Sequence, residues 1–174
     1  KNMLIVITGL DGSRTSTIAM KLKELDKTAH ILKTQSTEYK CRDLVDEKVK
    51  DVSPVGHMLY YLSSNVYMSD YIRKNFNIEN ENVYVIRYLI DTVASNRVAG
   101  VPIELDYNIY GNNILKPDLT LFVSVDEDKR QKRITERGKS ILDKVLDDDI
   151  TREKFIKEFE KNLDHETTIY VDNN

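Results

Sequence analysis

The sequence predicts an α/β protein, a three-layer sandwich whose central parallel sheet has about five strands. Three observations predict it. Short apolar runs without alternation, such as Met3–Thr8, Val83–Ile86 and Leu119–Val125, suit strands covered on both faces. Helical stretches separate these runs, and right-handed crossovers between parallel strands place helices on both faces of a sheet. The first strand leads straight into Gly9-Leu10-Asp11-Gly12-Ser13-Arg14-Thr15-Ser16-Thr17, a glycine-bearing loop that opens a helix. That order builds a phosphate cradle from backbone N–H groups and the positive end of the helix.

Taken in order, Ser16–Leu25 carries Ile18, Leu22 and Leu25 at helical spacing, and Ala29–Leu32 is a short second strand. Lys33–Lys40 is polar and follows the carboxyl end of that strand, the edge where ligands gather in open α/β sheets. Arg42–Asp51 reads as a short helix. From His57 to Phe76 a long helix is expected, with Met58, Leu62, Val66, Ile72 and Phe76 inward. Arg87-Tyr88 follows the Val83–Ile86 strand. Leu89–Ala99 is helical and stops at Gly100-Val101-Pro102. After the Leu119–Val125 strand, Asp126–Arg137 is a charged helix ended by Gly138, with Arg130, Arg133 and Arg137 on one face. Arg130 reads as part of a solvated face paired with Glu127. Asp147-Asp148-Asp149 reads as a surface acid run or as charge at a helix N-terminus. Thr151–Leu163 is a last amphipathic helix and Thr168–Val171 a closing strand.

Bulk properties narrow the function. The 174 residues, 40% of them hydrophobic, suffice for one domain over 1–174 with a proper core. A formal net charge of −3 gives no global electrostatic case for binding nucleic acid or an anionic membrane. Cys41 is the single cysteine, which excludes an internal disulfide and suits a reducing, cytoplasmic setting. The opening apolar run is too short to span a bilayer or to serve as a signal peptide. Lys1-Asn2 reads as a leader or cloning remnant.

A phosphate loop usually reads G-x-x-x-x-G-K-[ST]. Gly9 and Ser16 keep its first glycine and its hydroxyl, whereas Arg14 stands for the second glycine and Thr15 for the lysine. Five segments in order, Gly9–Ser13 with Ser16-Thr17, Arg87-Tyr88, Pro117-Asp118-Leu119-Thr120-Leu121, Arg133-Ile134 and Arg137-Gly138, resemble the thymidylate kinase family. That family reads G-L-D-G-S-G-K-S-T at its loop, then D-R-Y, P-D-L-T-L and R-I…R-G. The resemblance runs over residues 3 to 172 and implies a P-loop nucleotide kinase fold.

It also implies transfer of the ATP γ-phosphoryl group to a deoxynucleoside monophosphate with Mg²⁺, by an enzyme that is commonly a homodimer. Carried over by position, Gly9, Gly12, Ser13, Arg14, Thr15, Ser16 and Thr17 hold the donor phosphates, and Arg133 and Arg137 approach the adenine or the phosphates. Ser16 and Asp11 face Mg²⁺. Asp11, Arg14 and Arg87 are the catalytic candidates. Asp11, Tyr61, Asn65, Arg87, Tyr88 and Asp91 face the acceptor, and residues 139–150 form a lid.

Three departures leave two functions open. Thr15 removes a fixed cation from chemistry that relies on electrostatic stabilisation. Arg14 occupies a position suited to glycine, where a left-handed backbone is uncommon for other residues but allowed; its guanidinium can supply the lost charge. Ile86 stands where D-R-Y has its aspartate. The chain is therefore expected to be either an atypical nucleoside monophosphate kinase or a pseudokinase that binds a nucleotide or a protein partner without turnover.

Overall fold

Burial on both faces explains why the apolar runs do not alternate. In the computed structural model, which describes residues 2–174, every residue of β1 (Leu4–Gly9) and β3 (Val83–Ile86) is buried. Lys1, read as part of a leader, lies outside the described residues. With β2 (His30–Lys33), β4 (Leu119–Ser124) and β5 (Thr168–Asp172) they form one parallel sheet in the order β2-β3-β1-β4-β5. The helices are α1 (Thr15–Leu25), α2 (Arg42–Lys48), α3 (Pro54–Asn75), α4 (Leu89–Val98), α5 (Ile109–Asn112), α6 (Glu127–Arg137), α7 (Ile141–Val145) and α8 (Asp149–Asn162).

The two-residue period of the strands divides the core. Leu4, Val6, Val83 and Val85 face Leu62 and Ile72 of α3, Val93 of α4 and Phe159 of α8. Ile5, Ile7, Tyr84 and Ile86 face the other way, towards Ala19 of α1. Between β3 and β4 the chain crosses from one side of β1 to the other. A crevice opens at such a reversal, outside the carboxyl ends of the strands. Gly9 and Arg87 stand there.

Local chemistry sets the element ends. α3 begins at Pro54, three residues before the periodicity predicts. Proline is tolerated in a first helical turn, and Ser53 Oγ accepts from the Gly56 N–H at 3.1 Å. Gly138 ends α6 with φ 91°, as expected of a helix-terminating glycine. Asp148 caps α8 by accepting from the Thr151 N–H at 2.8 Å, and Asp147 pairs with Lys139 at 2.8 Å. The acid run thus combines the two roles read for it. α5 and α7 have four and five residues, too short to leave a periodic signal in the sequence. α7 lies inside the segment expected to be a lid.

Gly9 sits where β1 hands over to the loop. A Cβ built on it would lie 2.3 Å from the carbonyl oxygen of Val123 on the neighbouring strand. Gly9→Ala is therefore expected to lower the free energy of unfolding by about 2–3 kcal/mol, as overpacking against backbone does. Urea titration of the two proteins checks this.

Candidate functional site

The loop after β1 is shaped by two left-handed residues. Gly12 has φ 89°, and its missing Cβ leaves room for the side chains of Arg130 and Ile134, whose nearest atoms lie 2.8 and 3.0 Å from where that Cβ would stand. Arg14, at φ 62° and ψ 46°, is the N-cap of α1, and its carbonyl accepts from the N–H groups of Thr17 and Ile18. No side chain caps this helix. The first N–H groups of α1, those of Thr15 and Ser16, have no partner within the helix and point towards the crevice. Ser13 is buried, and its carbonyl is held by Asn173 Nδ2 at 2.9 Å. Thr17 is exposed on α1.

Arg87 is the hub of the opposite wall. It too is left-handed, at φ 65°. Its N–H donates to the Ile7 carbonyl, and the Arg87 carbonyl accepts from Thr34 Oγ1. The guanidinium donates to the Gly9 carbonyl, to Asp11 Oδ1 at 2.9 Å and to Asp91 Oδ1 at 3.0 Å. Asp91 also accepts from Thr8 Oγ1 and from the Tyr88 N–H, the latter at 2.9 Å. Burial works against the charge of Arg87, but the carboxylates of Asp11 and Asp91 outweigh it and raise its pKa. The guanidinium is thus fixed and charged before any ligand arrives.

Two clefts meet at this hub. The first, about 460 Å³, is lined by Asp11, Gly12, Arg14, Thr15 and Ser16 of the loop, together with Lys33, Arg42, Arg87, Arg133 and Arg137. The second, about 760 Å³, runs from Gly9 and Asp11 past Tyr61, Tyr88, Asp91 and Thr92 to Phe155 and Phe159. Asp11, Gln35, Arg42, Arg87 and Arg137 line both. One cleft is ringed by cations; the other couples a charged end to an aromatic one.

The three arginines of α6 do not act alike. Arg133 donates to the Asn173 carbonyl at 2.9 Å, and Arg137 holds the buried carboxylate of Asp143 in α7 at 2.7 Å. Both line the first cleft. Arg130, read as a solvated residue, is only 1% exposed. It grips Glu127 with two bonds of 2.7 and 2.8 Å and donates to the carbonyls of Asp11 at 3.0 Å and Leu146 at 3.3 Å. The expected surface pair with Glu127 exists, but α6 packs it against Gly12 and ties the loop to the segment after α7. The small glycine and its left-handed turn let the guanidinium through.

On the acceptor side Tyr61 lines the larger cleft, and its hydroxyl donates to Asp46 at 2.8 Å. Burial, reinforced by the charge of Asp46, pushes its pKa up. Tyr88 is buried against Ser69, and burial pushes its hydroxyl up to about 12. Asn65 lines neither cleft. It is fully buried behind Tyr61 and Thr92, donating to the Tyr61 carbonyl at 3.0 Å and to Thr92 Oγ1 at 2.8 Å. A residue at one helical turn from Tyr61 shares its face but not its depth.

Donors for a divalent cation are few. Ser16 offers a hydroxyl, and Asp11 has one carboxylate oxygen against Arg87. Asp91 is engaged by Thr8, Arg87 and Tyr88, and Ile86 offers no donor. Among the described residues no group of three or more His, Cys, Asp or Glu gathers around a metal-sized site. Magnesium takes octahedral oxygen coordination and is usually held by one or two carboxylates plus substrate phosphates. These residues fit an ion carried in on phosphate oxygens, meeting Ser16 and Asp11, and do not fit a resident one.

The thymidylate kinase family model matches residues 7–173. The thymidylate kinase of Brachyspira hyodysenteriae is 25% identical over 145 residues, which cover 79% of this chain and 70% of that protein. Among solved structures, thymidylate kinase from Candida albicans superposes with a TM-score of 0.74 at 20% identity, covering 99% of this chain and 84% of that one. Deoxyadenosine kinase from M. mycoides, solved with bound dATP, reaches a TM-score of 0.67 at 22% identity, covering 97% and 90%. At these identities the structural likeness establishes the fold.

Two outcomes are expected from this geometry. Arg14→Gly removes a left-handed arginine and is expected to raise stability by up to about 1 kcal/mol, read by urea unfolding. Glu127→Gln tests the buried grip on Arg130. Burial acts to raise the Glu127 carboxyl, but its hydrogen bonds from Arg130 and Gln131 prevail and lower it. A lowered carboxyl stabilises the fold above its unfolded pKa, about 4.3, and loses that contribution as pH falls through the folded value. The stability gap between wild type and Glu127→Gln is thus expected to be full at pH 7 and to shrink towards pH 3.

Proposed function

Because the chain belongs to the thymidylate kinase family, we propose that it is a nucleoside monophosphate kinase moving the γ-phosphoryl group of ATP onto a deoxynucleoside monophosphate. The observation that carries this reading is the junction of two clefts at Asp11, Arg87 and Arg137. A donor lying along the loop and an acceptor lying along Tyr61 would bring their phosphates together there. The acceptor phosphate oxygen would bond to the γ-phosphorus as the bridging oxygen leaves with ADP.

The chain's own groups serve this transfer by position and charge. The uncapped N–H groups at Thr15 and Ser16 cradle donor phosphate, and Arg14 brings a guanidinium beside the place where the lysine is missing. Arg87, held by Asp11 and Asp91, receives the acceptor phosphate without reorganising. Arg133 and Arg137 approach from α6, and the 139–150 segment, tied to α6 through Asp143 and Leu146, closes over the donor as a lid. Mg²⁺ bound with the nucleotide would face Ser16 and Asp11 and neutralise phosphate charge. Tyr61 presents a ring to the acceptor base; Asn65 acts on that pocket only from behind, through Thr92.

A second reading, nucleotide binding without turnover, is favoured by one specific feature. Thr15, in the place of the lysine, is only 6% exposed, and Ile86, in the place of a carboxylate, belongs to the apolar core facing α1. Neither can supply charge to a transition state.

An ADP-release assay with ATP and each deoxynucleoside monophosphate separates the two. ADP formation above the no-acceptor control supports the kinase; its absence with every acceptor, despite nucleotide binding, supports the second reading. In an active protein, Arg87→Ala is expected to lower kcat/KM at least about 100-fold, the effect of removing one preorganised charge donor.

A further inference from the structure

The phosphate cleft carries more cations than its motif supplies. Arg14, Lys33, Arg42, Arg87, Arg133 and Arg137 line it, against the carboxylates of Asp11 and Glu136 alone. Asp11 is already paired with Arg87. The chain's net charge of −3 conceals this concentration. Among the described residues, the side chains of Arg14 and Lys33 have no protein hydrogen-bond or ion-pair partner. Both are exposed towards solvent at the cleft.

Lys33 owes its place to sheet register. It is the last residue of β2 and pairs with Ile86, the last of β3, which in turn pairs with Ile7 of β1. Registered partners in a parallel sheet project to the same face. Lys33 therefore rises beside Ile86 on the side of the sheet that carries α1 and the loop. At this edge the strand end that offers no carboxylate for a metal stands next to a strand end that offers a cation. Two unpartnered cations, one on the loop and one on β2, face a cleft of about 460 Å³ with few oxygen donors for a divalent ion. A polyphosphate with three or four negative charges is the ligand that such a ring neutralises.

We infer that this cleft binds the polyphosphate of a nucleotide through side-chain cations, independently of divalent metal, and that Lys33 is one of the phosphate-binding residues. The nucleotide part of this inference rests on the function proposed above. Charge from Lys33 and Arg14 does the neutralising that a bound metal would otherwise do, so affinity does not depend on Mg²⁺ even where turnover does.

Titration calorimetry tests this with two probes, ATP and inorganic tripolyphosphate, each in EDTA and in Mg²⁺. For wild type, the ATP dissociation constant in EDTA is expected within about threefold of that in Mg²⁺. Lys33→Met, which keeps the aliphatic stem, is expected to weaken binding in EDTA about tenfold, and Lys33→Arg to restore it. Thermal unfolding of each variant confirms that the fold is kept. ATP binding that needs Mg²⁺, or a Lys33→Met protein that binds in EDTA like wild type, overturns the inference and leaves the kinase reading standing. Tripolyphosphate binding in EDTA without ATP binding upholds the cation cleft and overturns the nucleotide reading. No binding of either probe in either buffer overturns both.

Discussion

The site depends on the ion pairs that hold Arg87 at the edge of the sheet. Its backbone lies in the left-handed region, a conformation that costs a non-glycine residue about 1–3 kcal/mol and persists only where surrounding contacts over-determine it. Those contacts come from four places in the sequence: Ile7 and Gly9 at the end of β1, Asp11 in the loop, Thr34 after β2 and Asp91 in the first turn of α4. Fixing this one residue, backbone and guanidinium together, therefore fixes the relative positions of three strand ends and the phosphate loop. A half-buried arginine held by two carboxylates makes a poor source of stability; under the proposed function it is a preorganised cation for the acceptor phosphate.

A second arginine organises the other side of the loop. Arg130 threads past Gly12 to reach the carbonyls of Asp11 and Leu146 while Glu127 balances its charge. The loop is thus clamped between Arg87 in front and Arg130 behind. The Arg14 side chain, without a protein hydrogen-bond or ion-pair partner among the described residues, is exposed at the cleft. The residue at the second glycine position lies in the left-handed region, which glycine adopts at no steric cost, and Thr15 begins the helix in the place of the lysine.

The departures from the usual motif share a direction. Replacing lysine by threonine and a strand-end acid by isoleucine removes one charge of each sign, and Arg14 with Lys33 brings cations back from neighbouring positions. The balance of the cleft is therefore more positive than the motif alone suggests. Because such groups lie on separate elements, they form one electrostatic surface only after folding.

Much of this was legible in the sequence. Unalternating apolar runs fix the central strands β1 and β3, because residues covered on both faces must be apolar at every position, while β2 and β5 at the sheet's flanks are shorter on apolar residues and partly exposed. Glycine, proline and capping residues fix most helix ends within a few positions, and the loop with Arg87 and Asp91 fixes the site's location, because these residue types are required locally. What the sequence could not carry is anything set by register or by the depth of packing. Lys33 looked like the start of a polar loop until its pairing with Ile86 placed it at the cleft beside the phosphate loop. Arg130 looked solvated because spacing of three to Glu127 is the signature of a surface pair, and only the approach of Gly12 buries it. Asn65 looked like a pocket residue because it shares a helix face with Tyr61, and only the packing of α3 against α4 sets it behind that wall. Local chemistry determined the elements and the kind of site; the distances between elements, which no local pattern encodes, decided which side chains reach it.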